Sequence, residues 1–270
     1  MLLRRISAHV KDQNWFAVFL DFFIVVVGIL IAFQITEWNE SLGERERSRE
    51  ILAELQTDLK ADIAILSDAM NSTLDRIAAG EHIKKLAPEA AITQWENDDI
   101  RDSATLSGYQ QALLNSTEHQ NKGFDQRIDS LRDSLWSTLL DLYNPPSNTA
   151  SFDSLINSGE LGLFQNEALV AGIQDYRFFT KGLAGAQNHT MRASRNISTE
   201  VGQLFGLSSF GNVDEDTFIE LVKRNPQLAA TVQTELGKAK RHFRLKATTK
   251  NKAMELLELI EEELAAGSLR

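Results

Sequence analysis

The chain of 270 residues contains no cysteine. That excludes disulfides, thiolate nucleophiles and cysteine-ligated metal sites. Only four prolines interrupt it, and between residues 37 and 79 there is no proline and a single glycine, Gly43. Outside the N-terminal region, runs rich in Val, Ile and Tyr are nearly absent, and apolar residues do not alternate with period two, so strands are not expected. Positive charge is also short. Lys and Arg number 28 against 38 Asp and Glu, a formal net charge of −10, which disfavours non-specific binding to nucleic acid. The five histidines, His9, His82, His119, His189 and His242, form no H-x-x-H or H-E-x-x-H pair, so no zinc motif is present. His119 lies beside Glu118, but sequence neighbours on a helix do not face one another. No nucleophile elbow and no phosphate-cradling glycine loop occurs. Neither a cofactor, a metal nor catalysis is expected.

What the chain does have is one long apolar run. Residues 15–36 read WFAVFLDFFIVVVGILIAFQIT. The 21 residues from Trp15 to Ile35 include only Asp21 and Gln34 as strongly polar side chains. As a helix rising about 1.5 Å per residue, the run spans about 30 Å, the thickness of a bilayer's hydrocarbon core. The expectation is a signal-anchor transmembrane helix over 15–36. The run is too long for a cleaved signal peptide, and no A-x-A-like site closes it. Trp15 and Trp38 stand at its ends, where tryptophan favours the headgroup level. Arg4, Arg5 and Lys11 precede it, with Asp12 the only acid among residues 1–14. By the positive-inside rule this places residues 1–14 in the cytoplasm and residues 37–270 outside it. In a bacterium the location is the inner membrane, with a periplasmic C-terminal domain.

Within the apolar run, Ala17, Asp21, Gly28 and Ala32 fall near one helical face. Gly28-x-x-x-Ala32 is a small-xxx-small pair, which lets helix backbones approach closely. A carboxylate at Asp21 needs to be neutral, paired, or within reach of the interface. The polar group and the small residues therefore share a side, opposite Phe19, Phe22, Phe23, Val26, Leu30 and Phe33. That arrangement suits association with another membrane protein or with a second copy, in addition to the lipid bilayer.

The segments QNWFAVFLDFFIVVVGILIAFQITEWNE at 13–40 and FDSLINSGELGLFQNEAL at 152–169, followed by IQDYRFF at 173–179, together resemble a family of bacterial single-pass membrane proteins. In that family a basic N-terminus leads into an aspartate-containing apolar helix with a W-N-E exit, and a Ser-Gly pair and short helix recur near the middle. The resemblance implies a topology and no chemistry.

Beyond the apolar run, Leu52, Leu55, Leu59, Ile63, Leu66, Met70, Leu74 and Ile77 are spaced 3, 4, 4, 3, 4, 4, 3. This is an eleven-residue repeat, nearly straight on an α-helix. So long a stripe requires a partner surface, expected from later helices of the same chain, with the same helix of another subunit as the alternative. Gly80, Pro88 and the acidic group at 96–99 mark turns. A short helix is expected at 88–95, with Trp95 packing back. A second long helix is expected over 104–142, weakened at 116–123 and stopped by Pro145 and Pro146. A short helix at 151–157 follows, then a turn at Ser158-Gly159, helical character over 166–204, a short amphipathic helix at 214–223, and a last long helix over 226–265 opened by Pro226. The fold class is all-α, an N-terminal transmembrane helix running into a bundle of long helices.

One charged motif stands out. Lys238, Lys240, Arg241, Arg244, Lys246, Lys250 and Lys252 have only neutral residues between them. The block reads either as a patch for an anionic partner, centred on Lys238, Lys240, Arg241, Arg244 and Lys246, or as a solvated face pairing with acidic neighbours. The functional expectation is a membrane-anchored helical scaffold or interaction module, non-enzymatic. The alternative is a subunit of an ion-driven membrane complex that uses Asp21 in the membrane helix.

Overall fold

The computed structural model describes residues 15–90 and 124–267, with side chains over 19–90 and 126–266. The described residues form helices and connecting turns with no strand. In chain order the α-helices are α1 (Trp15–Leu86), α2 (Phe124–Leu131), α3 (Leu135–Leu140), α4 (Ala150–Ser158), α5 (Glu167–Gly185), α6 (Arg192–Leu204), α7 (Glu215–Arg224) and α8 (Pro226–Gly267). A π-helical turn at Ala186–Met191 joins α5 to α6, and 3-10 turns occupy Arg132–Ser134 and Glu160–Leu163. The chain divides into two units, one ending at Ile51 and the other running from Leu52 to Arg270.

The first unit is the N-terminal part of α1. Its apolar stretch is long enough to cross a membrane, and none of it is buried within the chain. Phe19, Phe22, Ile24 and Phe33 all stand exposed. Towards its C-terminal end, Thr36, Ser41 and Ser48 return their hydroxyls to the carbonyls of Ala32, Trp38 and Arg45, so these polar side chains are satisfied without leaving the helix.

The second unit is built on the apolar stripe of α1. Of its eight predicted positions, seven are buried, and only Ile63 is half-buried. The partner is the same chain: Met70, Leu74 and Ile77 pack on Leu236, Ala239 and Phe243 of α8. Further along, Ala79 and Ile83 of α1 join Trp136, Leu139 and Leu140 of α3, Phe218 and Val222 of α7, and Leu228 and Val232 of α8 in a larger cluster. The Trp136 and Phe218 ring centroids are 6.1 Å apart. Helix α5 lays Leu169, Ile173, Tyr176 and Leu183 inward, and a Cβ at Gly172 would stand 3.2 Å from Leu256 and Leu259 of α8.

Three local expectations are corrected. Gly80 is not a turn, because α1 runs on to Leu86. Its backbone lies so close to α8 that an added Cβ would sit 2.8 Å from Leu236 Cδ1. The glycine is there for close approach, and its unfavourable helix propensity of about 1 kcal/mol is offset by the packing it permits. Pro88 ends the helix, since the residue before a proline is driven out of the α region. The predicted helix at 104–142 is described only from 124, and there it is broken. Leu131 and Ser134 bracket the 3-10 turn with φ −110 and −128, and helix α3 stops at Leu140, leaving Leu142 outside it. The Asp133 carbonyl freed by that break accepts the Val213 amide at 2.9 Å. The helical region 166–204 is divided by the π turn. The expected short helix at 88–95, Trp95, and the apolar positions at 106–113 fall wholly or partly outside the described residues.

Other boundaries agree closely with the residue pattern. Gly159 takes φ +79 just after α4, the left-handed geometry that favours glycine at a helix end. Asn166 caps α5 by accepting the Ala168 and Leu169 amides. Asp214 caps α7 through Thr217, and that hydrogen bond holds the Asp214 carboxyl below its usual range.

Candidate functional site

In the first unit, Asp21, Gly28 and Ala32 share one face of α1, as the 3.6-residue period requires, and all three are exposed. A Cβ on Gly28 would meet nothing within 4 Å. Trp38 is exposed as well. The side chains of Trp15 and Ala17 lie outside the described residues. Among the described residues the face is thus open.

In the second unit, the basic block is not one surface. Arg241 and Arg244 are exposed, but Lys240 and Lys246 are buried. Lys238 donates to Glu235 at 3.0 Å, and Lys240 pairs with Glu81 of α1 at 2.9 Å. Lys246 sits at 1% exposure. Its ammonium donates to the Ala69 carbonyl at 2.9 Å, to Thr73 Oγ1 at 2.8 Å and to the Tyr143 carbonyl at 3.1 Å. The anionic-partner patch therefore reduces to Arg241 and Arg244, while Lys240 and Lys246 tie α8 to other elements and Lys238 pairs within α8. A sequence signal for this existed. The buried stripe of α8 runs Val232, Leu236, Ala239, Phe243, Lys246, Lys250, Ala253, Leu256, Ile260, an unbroken three-or-four spacing that passes through both lysines.

Around Lys246 lies a buried polar network. Arg76 of α1 donates to the Leu139 carbonyl at 3.0 Å and to Glu235 Oε2 at 3.3 Å. Glu235 Oε1 also accepts Ser198 Oγ at 2.7 Å. Arg76 and Glu235 are both almost fully buried, and Arg76 Nη1 has no partner among the described residues. Removing one member of such a pair would leave a buried charge uncompensated, at about 3–5 kcal/mol. His242 contacts the Gln187 side chain at 3.0 Å through Nε2. Burial, with Lys246 and Arg76 nearby, pushes the imidazole down to about 2, so it is neutral at physiological pH. Burial, with Arg76, likewise pushes Lys246 down to about 7, against the opposing field of Asp141.

Two carboxylates one turn apart on α1 fix the segment between α3 and α4. Asp62 accepts the Asn148 amide at 2.7 Å and the Tyr176 hydroxyl at 2.5 Å. Asp58 accepts Asn148 Nδ2 at 2.5 Å and the Ser151 hydroxyl. Burial raises the Asp62 carboxyl, opposed by those hydrogen bonds. Asp62 was not singled out by the pattern of charges, and its i+4 spacing from Asp58 is the only hint the chain offers.

The segment so held forms one wall of a groove of about 410 Å³. The others are α1 near Ala69, the C-terminal end of α5 with its π turn, and Lys246 of α8. Arg177, Lys181 and Lys246 line it, with no carboxylate among the lining residues. Arg177 is held by Asp153 in a bidentate pair at 2.5 and 2.6 Å. A second groove of similar volume, between α1, α3 and the Ser209-Phe210 turn, contains Asp75, Asp141 and Arg195. Among the described residues no three His, Asp or Glu side chains gather in a metal-ligating group. Comparison of the chain with protein-family models, curated proteins and solved structures gives no match.

Proposed function

We propose that the chain is a membrane-anchored helical interaction module of the bacterial inner membrane, non-enzymatic, with residues 1–14 cytoplasmic and the helical unit after Ile51 periplasmic. The observation that carries this reading is the apolar stretch of α1. It exposes Phe, Ile, Leu and Val on every side with no part buried in the chain, and water is a poor solvent for such a surface. The open face of Asp21, Gly28 and Ala32 supports a second membrane helix, from another protein or another copy, as the partner. The second unit supports a scaffold, because its buried polar groups are spent on holding helices together rather than on converging upon a reacting atom.

The test has two arms. A reporter that is active only in an oxidising compartment, fused after Arg270, should be active; activity of a cytoplasm-only reporter at the same position would overturn the orientation. Extraction of the full chain in mild detergent should bring down a partner or a stable self-assembly. A monodisperse monomer extracted alone would count against the interaction reading and leave the topology standing.

A further inference from the structure

We propose that the groove between α1, the Asn144–Thr149 segment, the α5 end with its π turn and α8 binds a small oxyanionic ligand, a carboxylate or phosphate, drawn in by Lys246 and Lys181. The inference stands apart from the membrane reading, since every residue involved lies in the second unit.

Charge is the first argument. The chain as a whole carries −10, yet among the described residues this groove presents three cations and no acid. Two of the acids nearest in effect do not balance it from inside. Asp153 grips Arg177 without lining the groove, and Asp141, whose field reaches Lys246, lines the other groove. Lys246 is the more telling charge. Its three ammonium hydrogens go to two carbonyls and a hydroxyl, so it is well hydrogen-bonded but has no carboxylate in contact among the described residues. A buried cation compensated only by neutral dipoles leaves a positive potential in the adjoining space.

Geometry is the second argument. The volume falls within the range of about 300–1,000 Å³ usual for small-molecule sites. Lys181 is exposed, and its ammonium is placed to contact a bound oxyanion directly while Lys246 acts through its field. The π turn puts Gln187 and Asn188 on the groove wall, and single π turns of this kind recur at binding sites. Ser147 adds a hydroxyl from the opposite side. The wall carrying it is pinned by Asp58 and Asp62 through Asn148, so the donors are preorganised rather than recruited.

The experiment is calorimetric titration of the full chain in nonionic detergent at about pH 6, where Lys246 holds its proton, with inorganic phosphate and, separately, with succinate. Saturable binding of at least one is expected. Lys181→Glu should raise its Kd by about tenfold or more, while Lys223→Glu, on α7 away from the groove, should leave it unchanged. Lys246→Met should weaken binding too; should that variant fail to fold, Lys181→Glu and Ser147→Asp decide the matter, each with its helical circular dichroism intact. No saturation by either anion, or an unchanged Kd in Lys181→Glu, would overturn the proposal. So would binding confined to phosphatidylglycerol vesicles, with neither soluble anion competing, because the ligand would then be a membrane surface.

Discussion

Replacing Gly80 by alanine probes the closest approach of α1 to α8. The added Cβ would stand 2.8 Å from Leu236 Cδ1, 3.0 Å from its Cβ and 3.2 Å from its Cγ. Cδ1 alone could swing aside, but Leu236 Cβ is fixed to the α8 backbone, so the helices must part by several tenths of an ångström. Gly80 is buried, and its neighbours Ala79 and Ile77 are buried at 0% exposure, so the displacement spreads into both hydrophobic clusters. Overpacking of this kind costs about 1–3 kcal/mol. The alanine recovers about 1 kcal/mol of helix propensity. The net expectation is a loss of up to about 2 kcal/mol. The assay is urea unfolding of the full chain in detergent, followed by tryptophan fluorescence, to which buried Trp136 contributes, with the midpoint lowered and the slope unchanged. Leu236→Ala removes Cγ and Cδ1 and should itself cost about 2–5 kcal/mol. In that background the Gly80→Ala change should cost distinctly less than it does alone, a coupling between contacting residues. A Gly80→Ala variant more stable than the native chain by about 1 kcal/mol, the full gain in helix propensity with no packing cost, would refute the close approach.

Stability should also rise with pH between about 7 and 10 through Lys246. Its folded value lies near 7 and its unfolded value near 10.5, so over that interval the unfolded chain holds a proton that the folded chain has released, whereas below pH 7 both hold it. Lys246 faces Arg76 on α1 and Asp141 after α3, with His242 neutral on its own helix throughout; above about pH 10 the buried Tyr176 hydroxyl, pushed up by burial and Asp62, acts in the opposite sense. Urea midpoints at pH 7 and pH 9.5 should therefore converge on those of Lys246→Met from below, and a constant difference would show that the lysine does not titrate in that interval. In the apolar stretch of α1, if it crosses a membrane as proposed, Asp21→Asn should largely preserve crosslinking between helices, because polar contacts between membrane helices average about 0.6 kcal/mol and the amide still hydrogen-bonds, whereas Gly28→Ile should impair it. An ion-coupling role reverses the ranking, with Asp21→Asn abolishing the cellular phenotype while assembly persists.

The helical class, the stripe of α1 and the starts of α5, α7 and α8 were legible because they rest on local rules. A three-or-four apolar spacing, an Asn or Asp cap and a proline in the first turn each act within a few residues. The 3-10 break after Leu131 and the π turn at Ala186–Met191 were not legible, since nothing in their own composition calls for them. They answer to partners distant in the chain: Val213 for the carbonyl at Asp133, and His242 for the Gln187 side chain. Gly80 illustrates the same limit from the other side. A glycine after a long helical stripe reads locally as punctuation, and only the presence of Leu236, far along the chain, turns it into a packing residue.

The basic block of α8 shows where composition and period gave opposite answers. Counted by charge, the seven cations over 238–252 form one patch. Followed by period, Lys246 and Lys250 continue the buried stripe that begins at Val232, and at those two positions the helix puts cations where apolar side chains would normally sit. Burying them is tolerable for Lys246 only because α1 and the chain after α3 supply two carbonyls and Thr73, three acceptors for three donors. None of the three is a carboxylate, and no local feature of 238–252 announces them. A lysine that continues an apolar stripe is therefore a demand for acceptors on facing elements, and the groove beside Lys246 follows from how that demand is met. Neutral acceptors satisfy the hydrogen bonds and leave the charge, so the space next to the stripe retains a field that a carboxylate partner would have cancelled.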